Sequence, residues 1–267
     1  MKNNFIQKYG PWAIITGASS GIGEEYAKQL APLGMNLILV ARRAERLAQL
    51  SEKLSAEYNI SCRFIECDLS VDGFENTIIS ATQDLDIRLL INNAGMNIEG
   101  DFYRGGLERN LQMTKLNMIA PFILSYHFAK NMAEKGGGGI IFTGSISSFK
   151  GLPYLSHYAA TKAYVLQLAE GMNYEFKDKK VDILCLCPGF TITEMTKGLK
   201  KNWMTMEVGP VVKEALAGLG NQSVVIPGFV NKAMIGIEKH LLTRQATTNL
   251  NGSLMKKMLP GAKKKKG

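Results

Sequence analysis

The sequence predicts an α/β protein built as one doubly wound, seven-stranded parallel sheet with helices on both faces. Three observations carry this. Short runs rich in Val, Ile and Leu alternate with longer stretches of helical period, the pattern of parallel strands buried on both sides and joined by crossover helices. At 267 residues the chain has room for one large domain with a sizeable core and little room for a second. The composition is that of a globular protein, 46% hydrophobic and 21% charged, without an apolar run long enough to cross a bilayer.

The elements follow in order. Strand Trp12–Thr16, helix Glu24–Leu33, strand Asn36–Ala41, helix Glu45–Glu57 and strand Cys62–Asp68 make a βαβαβ unit. The alternation resumes with helix Thr77–Thr82, strand Arg88–Asn92, a long helix Leu111–Glu134, strand Gly139–Ser145, helix Ser156–Lys177 and strand Val181–Cys187. A helix near Val211–Leu219 and a strand Ser223–Pro227 complete the seven strands. No internal repeat stands out, and the low-complexity pieces are Gly136–Gly139 and a lysine tail.

Charge and cysteine usage narrow the class. Residues 1–10 lack the charged, apolar and small-residue order of a signal peptide, so the reading is a cytoplasmic chain. The four cysteines, Cys62, Cys67, Cys185 and Cys187, have none of the usual zinc spacings and read as reduced thiols, with no metal expected. The net charge of +9 includes the run Lys263–Lys266 after Pro260-Gly261. That run reads as a solvated tail, with steering of anionic substrates or weak adhesion to anionic lipid left open. No motif or basic stripe with interleaved aromatics points to nucleic acid.

Ligands of open parallel sheets bind beyond the carboxyl ends of the strands, where the strand order reverses. Directly after the first strand the chain reads Thr16-Gly17-Ala18-Ser19-Ser20-Gly21-Ile22-Gly23, and a helix follows. Glycines there allow a tight turn and a close backbone approach to a pyrophosphate, held by amides at the helix N-terminus. Taken alone, the same spacing also fits an ordinary strand-to-helix turn. After the second strand come Arg42 and Arg43, with no carboxylate placed to accept from a ribose 2′-hydroxyl. A guanidinium suits a 2′-phosphate, so NADP(H) is favoured over NAD(H), although two cations opening a solvated loop would read the same way.

With Asn92-Asn93-Ala94-Gly95 after the fourth strand, Ser145, and Tyr158-x-x-x-Lys162, the chain resembles the short-chain dehydrogenase/reductase family from about Tyr9 to Thr193. It leans to the branch of 17β-hydroxysteroid dehydrogenases and 3-ketoacyl-CoA reductases, on Tyr9-Gly10-Pro11-Trp12 and Val224-Val225-Ile226-Pro227-Gly228. The resemblance implies an NAD(P)-binding Rossmann domain over 9–258, which leaves 1–8 as an N-terminal extension, while the charge run makes 259–267 a basic disordered tail. It implies cofactor contacts at Gly17, Ser19, Ser20, Gly21, Ile22, Gly23, Arg42, Tyr158 and Lys162. Asp68 and Leu69 would face the adenine, Asn93 the adenosine ribose, and Pro188, Thr191 and Thr193 the nicotinamide carboxamide.

The implied catalytic set is Asn117, Ser145, Tyr158 and Lys162. A phenol has an ordinary pKa of about 10, so Tyr158 needs help to exchange a proton near neutrality. Lys162, one helical turn along the same face, would favour the phenolate and bind the nicotinamide ribose. Ser145 would hydrogen-bond the carbonyl oxygen, and Asn117 would hold a water linking Lys162 to solvent. Tyr154 and His157 lack a lysine four residues on and read as pocket wall.

The activity implied is NADPH-dependent reduction of a ketone or 3-oxoacyl carbonyl to an alcohol, or the reverse. The alternative is a catalytically silent NADP(H)-binding regulatory protein on the same fold. Residues 194–222 fall where the family keeps a mobile substrate lid and its adjoining helix. Its apolar residues, including Trp203 and Met204, point to a lipophilic small molecule or else close the core. Phe229–Leu242 has the composition of an interfacial helix, and the family's habit of pairing its long helices implies a homodimer or homotetramer.

Overall fold

The computed structural model of the chain describes residues 2–197 and 201–258. Its seven strands are β1 (Trp12–Thr16), β2 (Asn36–Ala41), β3 (Cys62–Glu66), β4 (Ile87–Asn92), β5 (Gly138–Thr143), β6 (Val181–Leu186) and β7 (Val224–Val225). They form one sheet in the order β3-β2-β1-β4-β5-β6-β7, with every neighbouring pair parallel. The chain therefore winds outward from β1 to β3 and returns to the other edge of β1 for β4. The reversal opens a crevice beyond the carboxyl ends of β1 and β4, where the loops from Gly17 and Asn93 begin.

Period-two alternation divides the strand side chains between two cores. Ile15, Leu37, Leu39, Ile91, Ile141 and Leu184 face one side, with residues of α2 (Gly21–Leu30), α3 (Ala44–Tyr58) and α8 (Val208–Gly218). Ile14, Ile38, Val40, Leu90, Ile140 and Ile183 face the other, with α4 (Phe74–Thr82), α6 (Ala120–Glu134) and α7 (Ser156–Glu175). All twelve strand residues are fully buried, each contributing about 1.5–3 kcal/mol on transfer from water.

Several elements depart from the sequence reading. The expected N-terminal extension over 1–8 falls in a helix, α1 (Lys2–Tyr9); Phe5 and Ile6 pack on the first core, and the Tyr9 hydroxyl donates to Asp182 Oδ2 at 2.6 Å. β5 stops at Thr143, short of Ser145, and β7 has only two residues. The long helix begins at Gly106 as α5 (Gly106–Thr114) and reaches α6 through a π-wound turn, Lys115–Ile119. Pro121 has no N–H to give to the carbonyl four residues back, that of Asn117, which removes one α-helical bond where the winding loosens.

Two helices, α9 (Phe229–His240) and α10 (Arg244–Met258), close the chain, and the second has no counterpart in the sequence reading. Among the described residues, no helix is long and apolar enough to cross a membrane. The basic tail over 259–267 and residues 198–200 of the expected lid lie outside the described residues.

Candidate active site

The loop after β1 is held from below. Thr16 Oγ1 donates to the Ile91 carbonyl at 3.1 Å and accepts the N–H groups of Asn93 and Ala94 at 2.9 and 3.0 Å. Asn93 Nδ2 donates to the Thr16 carbonyl at 3.0 Å. These bonds lock the β1 and β4 loops together at the switch point. The glycines are required by space: a Cβ on Gly17, whose φ is 68°, would lie 2.9 Å from Ala94 Cα, and one on Gly23 would lie 2.3 Å from the Gly17 carbonyl oxygen. Gly23→Ala is expected to destabilise the fold by about 2–3 kcal/mol through overpacking, read by urea denaturation.

This cradle fits a dinucleotide pyrophosphate. α2 begins there with no side-chain cap on its first amides, because Ser20 Oγ accepts from Arg43 instead. Uncapped N–H groups at a helix N-terminus attract an anion. Ser19 is buried, and Ile22 packs partly buried against the first core.

A charged rim surrounds the cradle. Arg43 Nε donates to Ser19 Oγ at 3.0 Å, Nη2 to Ser20 Oγ at 2.6 Å and Nη1 to Glu194 Oε2 at 2.6 Å. Arg42 is exposed and lies 3.6 Å from Asp68 Oδ2. Burial alone would raise the Asp68 carboxyl, but hydrogen bonds from Ser70 and the Arg42 guanidinium bring it below the usual range. Leu69 is buried in the second core. The sequence reading singled out Arg42; the structure gives the denser contacts to Arg43.

On the other side of the crevice, Ser145 caps a short 3-10 turn, Ile146–Phe149. Its Oγ accepts the Ser147 N–H at 3.1 Å, and Ser148 Oγ accepts the Ser145 N–H at 3.1 Å. Ser148 Oγ in turn donates to the Lys162 carbonyl at 2.9 Å, tying this turn to α7. Tyr158 and Lys162 stand one turn apart on α7, with Lys162 Nζ buried and 5.8 Å from the Tyr158 ring centre. Nζ donates to the Thr143 carbonyl at 2.7 Å.

Burial pushes the Tyr158 phenol up to about 12; the hydrogen bond from Ser145 works downward, and the nearby Cys187 thiol adds to the rise. In the protein alone the downward pull on the Tyr158 phenol comes from Ser145. Burial brings the Lys162 ammonium down to about 8, with the Cys185 and Cys187 thiols opposing. Those two sulfurs, 3.7 Å apart, lie beneath the site.

Asn117 sits in the π-wound turn, fully buried. Its amide is committed to the loop after β4: Oδ1 accepts the Met96 N–H at 3.0 Å, and Nδ2 donates to the Met96 carbonyl at 2.9 Å and to Thr161 Oγ1 at 3.0 Å. A Cβ on Gly95 would lie 3.3 Å from Asn117 Oδ1 and 3.4 Å from Lys162 Nζ, so glycine lets these two groups approach. The Pro188 carbonyl accepts the Ile146 N–H at 3.0 Å, and the Thr191 and Thr193 backbone is knitted to Thr196 Oγ1. Tyr154 has a φ of 66°, and His157 is bound to Asn110 Oδ1 and Thr114 Oγ1 at 2.8 and 3.0 Å. His157 is thus a tether between α7 and α5.

The structure brings all four catalytic candidates and the glycine loop to one crevice. Sequence reasoning missed Thr16, Thr143, Ser148 and Thr161, which hold the candidates in place. Thr16 and Thr143 end their strands and Thr161 lies inside the Tyr158-x-x-x-Lys162 spacing, so position offered a hint; nothing local marks Ser148.

A dinucleotide cradle facing a tyrosine, lysine, serine and asparagine defines an oxidoreductase of the nicotinamide-dependent class. The family model described as short chain dehydrogenase matches residues 11–203, and the chain belongs to that family. The chain is 32% identical over 234 residues to a 7beta-hydroxysteroid dehydrogenase of Clostridium sardiniense, covering 86% of this chain and 90% of the relative. It is 28% identical over 265 residues to the very-long-chain 3-oxoacyl-CoA reductase of Rattus norvegicus, covering 96% and 85%. A solved structure from a study of 7beta-hydroxysteroid dehydrogenase stereoselectivity superposes with a TM-score of 0.88 at 25% identity, covering 93% of this chain and 99% of the other. The chain is an NAD(P)-dependent short-chain dehydrogenase/reductase acting on CH–OH groups, in the hydroxysteroid and ketoacyl reductase-like branch.

Proposed function

We propose that the protein reduces a ketone on a lipophilic substrate, of the steroid or 3-oxoacyl thioester class, to an alcohol at the expense of NADPH, with Tyr158 giving the proton. The observation that carries this is the convergence of Ser145, Tyr158, Lys162 and Asn117 beside the Gly17–Gly23 cradle. The substrate class is that of the relatives in this branch.

The bound dinucleotide supplies the hydride. Ser145 Oγ accepts the Ser147 N–H, so its one hydrogen, turned to the Tyr158 oxygen in the protein alone, can pass to a carbonyl oxygen bound between the two. A phenol raised to about 12 is protonated at neutral pH, the form that gives a proton to an alkoxide, and this supports the reductive direction. The Ser145 hydroxyl and the Lys162 ammonium then stabilise the phenolate left behind. The Asn117 amide holds the Met96 backbone against the site, and a water beside it linking Lys162 to solvent belongs to the same proposal.

The NADPH preference rests on Arg43, bonded to Ser19 and Ser20, and on exposed Arg42 beside Asp68, a donor set suited to a 2′-phosphate. Arg43→Gln is expected to weaken NADPH binding about 10- to 100-fold and leave NADH within about two-fold. Equal weakening of both cofactors in a calorimetric titration would reject the preference. The same preparation, offered NADPH with ketosteroids and 3-oxoacyl thioesters, tests the substrate class.

Self-association as a dimer or tetramer belongs to this reading, supported by exposed Ile119, Phe122 and Tyr126 on the π-wound turn and α6 and exposed Tyr174 on α7. So do a cytoplasmic location and weak adhesion to anionic lipid, which rests on the run Lys263–Lys266. Residues 194–222 are proposed as the segment facing the substrate, within a domain spanning 9–258.

A further inference from the structure

The phosphate cradle carries an anion of the chain's own. Glu194 Oε2 accepts from Arg43 Nη1 at 2.6 Å, and Oε1 accepts from Arg46 Nη1. One carboxylate thus bridges two guanidiniums, and Arg43 also donates from Nε and Nη2 to the Ser19 and Ser20 hydroxyls of the loop. The residue before it packs on the same loop: a Cβ on Gly21 would lie 3.2 Å from Thr193 Cγ2. The contact closes 151 residues of sequence separation.

The hydrogen bonds from Arg43 and Arg46 hold the Glu194 carboxyl down at about 2, so it stays ionised across any working pH. A 2′-phosphate calls for the same kind of partners, guanidinium forks such as Arg43 after β2 and hydroxyls such as Ser19 and Ser20 after β1. Two anions on one guanidinium edge repel each other, and a side chain already in place competes with a ligand for those donors.

We propose that Glu194 is an internal competitor for the 2′-phosphate, which NADP(H) must displace from Arg43 and Arg46 and which NAD(H) leaves where it is. The proposal rests on the NADP(H) reading of the site. Glu194 is then a specificity determinant that holds NADPH affinity below what the arginines alone would give. It also makes release of the Thr191–Lys197 segment from the phosphate loop depend on which cofactor arrives.

Calorimetric titration of the parent and Glu194→Gln with NADPH, NADH and 2′,5′-ADP tests it. Glutamine keeps the size and removes the charge of an exposed side chain, so the fold is retained; Glu194→Ala serves as a second variant and shifts affinity in the same direction. The expected result is about five-fold tighter binding of NADPH and of 2′,5′-ADP in Glu194→Gln, with NADH changed less than about two-fold. Unchanged or weaker NADPH binding, or equal tightening of NADH, in a parent that prefers NADPH overturns the competition alone. A parent that binds NADH as tightly as NADPH overturns the cofactor reading and the competition with it.

Discussion

Tyr158→Phe lowers kcat about 10³-fold while NADPH binds within about two-fold of the parent. Phenylalanine keeps the ring, so the packing of α7 survives and only the hydroxyl is lost. That hydroxyl is the group paired with Ser145 and is protonated at neutral pH because burial raises it to about 12. A general acid positioned in this way contributes about 10²–10⁴-fold, and the expected loss lies in the middle of that range. Single-turnover rates and a cofactor titration on the same preparation separate the two effects. Parallel loss of NADPH binding and rate would instead make Tyr158 a structural residue.

Lys162→Met cuts kcat/KM by about 10²–10³-fold and raises the stability of the cofactor-free protein by about 2 kcal/mol at pH 7. The opposing signs have one cause. Burial lowers the Lys162 ammonium from its ordinary 10.5 to about 8, so below pH 8 the folded state carries a desolvated cation at a cost. Between pH 8 and 10.5 the folded state has released that proton and the unfolded state still holds it, so stability rises with pH in that window. The parent should gain about 1 kcal/mol between pH 7.5 and 9, and Lys162→Met should lack that slope. Urea denaturation of both proteins at pH 7, 8 and 9 checks it; parallel curves for the two would show that the ammonium is not desolvated at a cost.

The sheet was legible because its strands are apolar on both faces: Trp12–Thr16 and Asn36–Ala41 were bounded to the residue. The crevice was legible because the glycine loop, Asn92-Asn93-Ala94-Gly95 and Tyr158-x-x-x-Lys162 each occupy the end of an element that the strand order brings to the switch point. What stayed hidden depends on contacts between distant residues. α1 looks polar, yet Phe5, Ile6 and Tyr9 reach the core and Asp182, a partner invisible in ten residues of sequence. The π-wound turn arises where Pro121 removes a donor from an otherwise uniform helical pattern, a signal present but not read. The role of Ser145 in setting the Tyr158 acidity needs the 3-10 turn that Ser148 anchors to α7, and no spacing rule reports that contact.

Delivery of a hydride and the Tyr158 proton to one carbonyl is tested most directly by a single turnover of the preformed NADPH complex with a ketosteroid or a 3-oxoacyl thioester, followed by NADPH absorbance with the alcohol quantified. The expected result is one NADPH oxidised per alcohol formed in the parent and a persistent NADPH absorbance in Tyr158→Phe. A parent complex that keeps its NADPH against every carbonyl in both classes, or a Tyr158→Phe complex that turns over at the parent's rate, would contradict it.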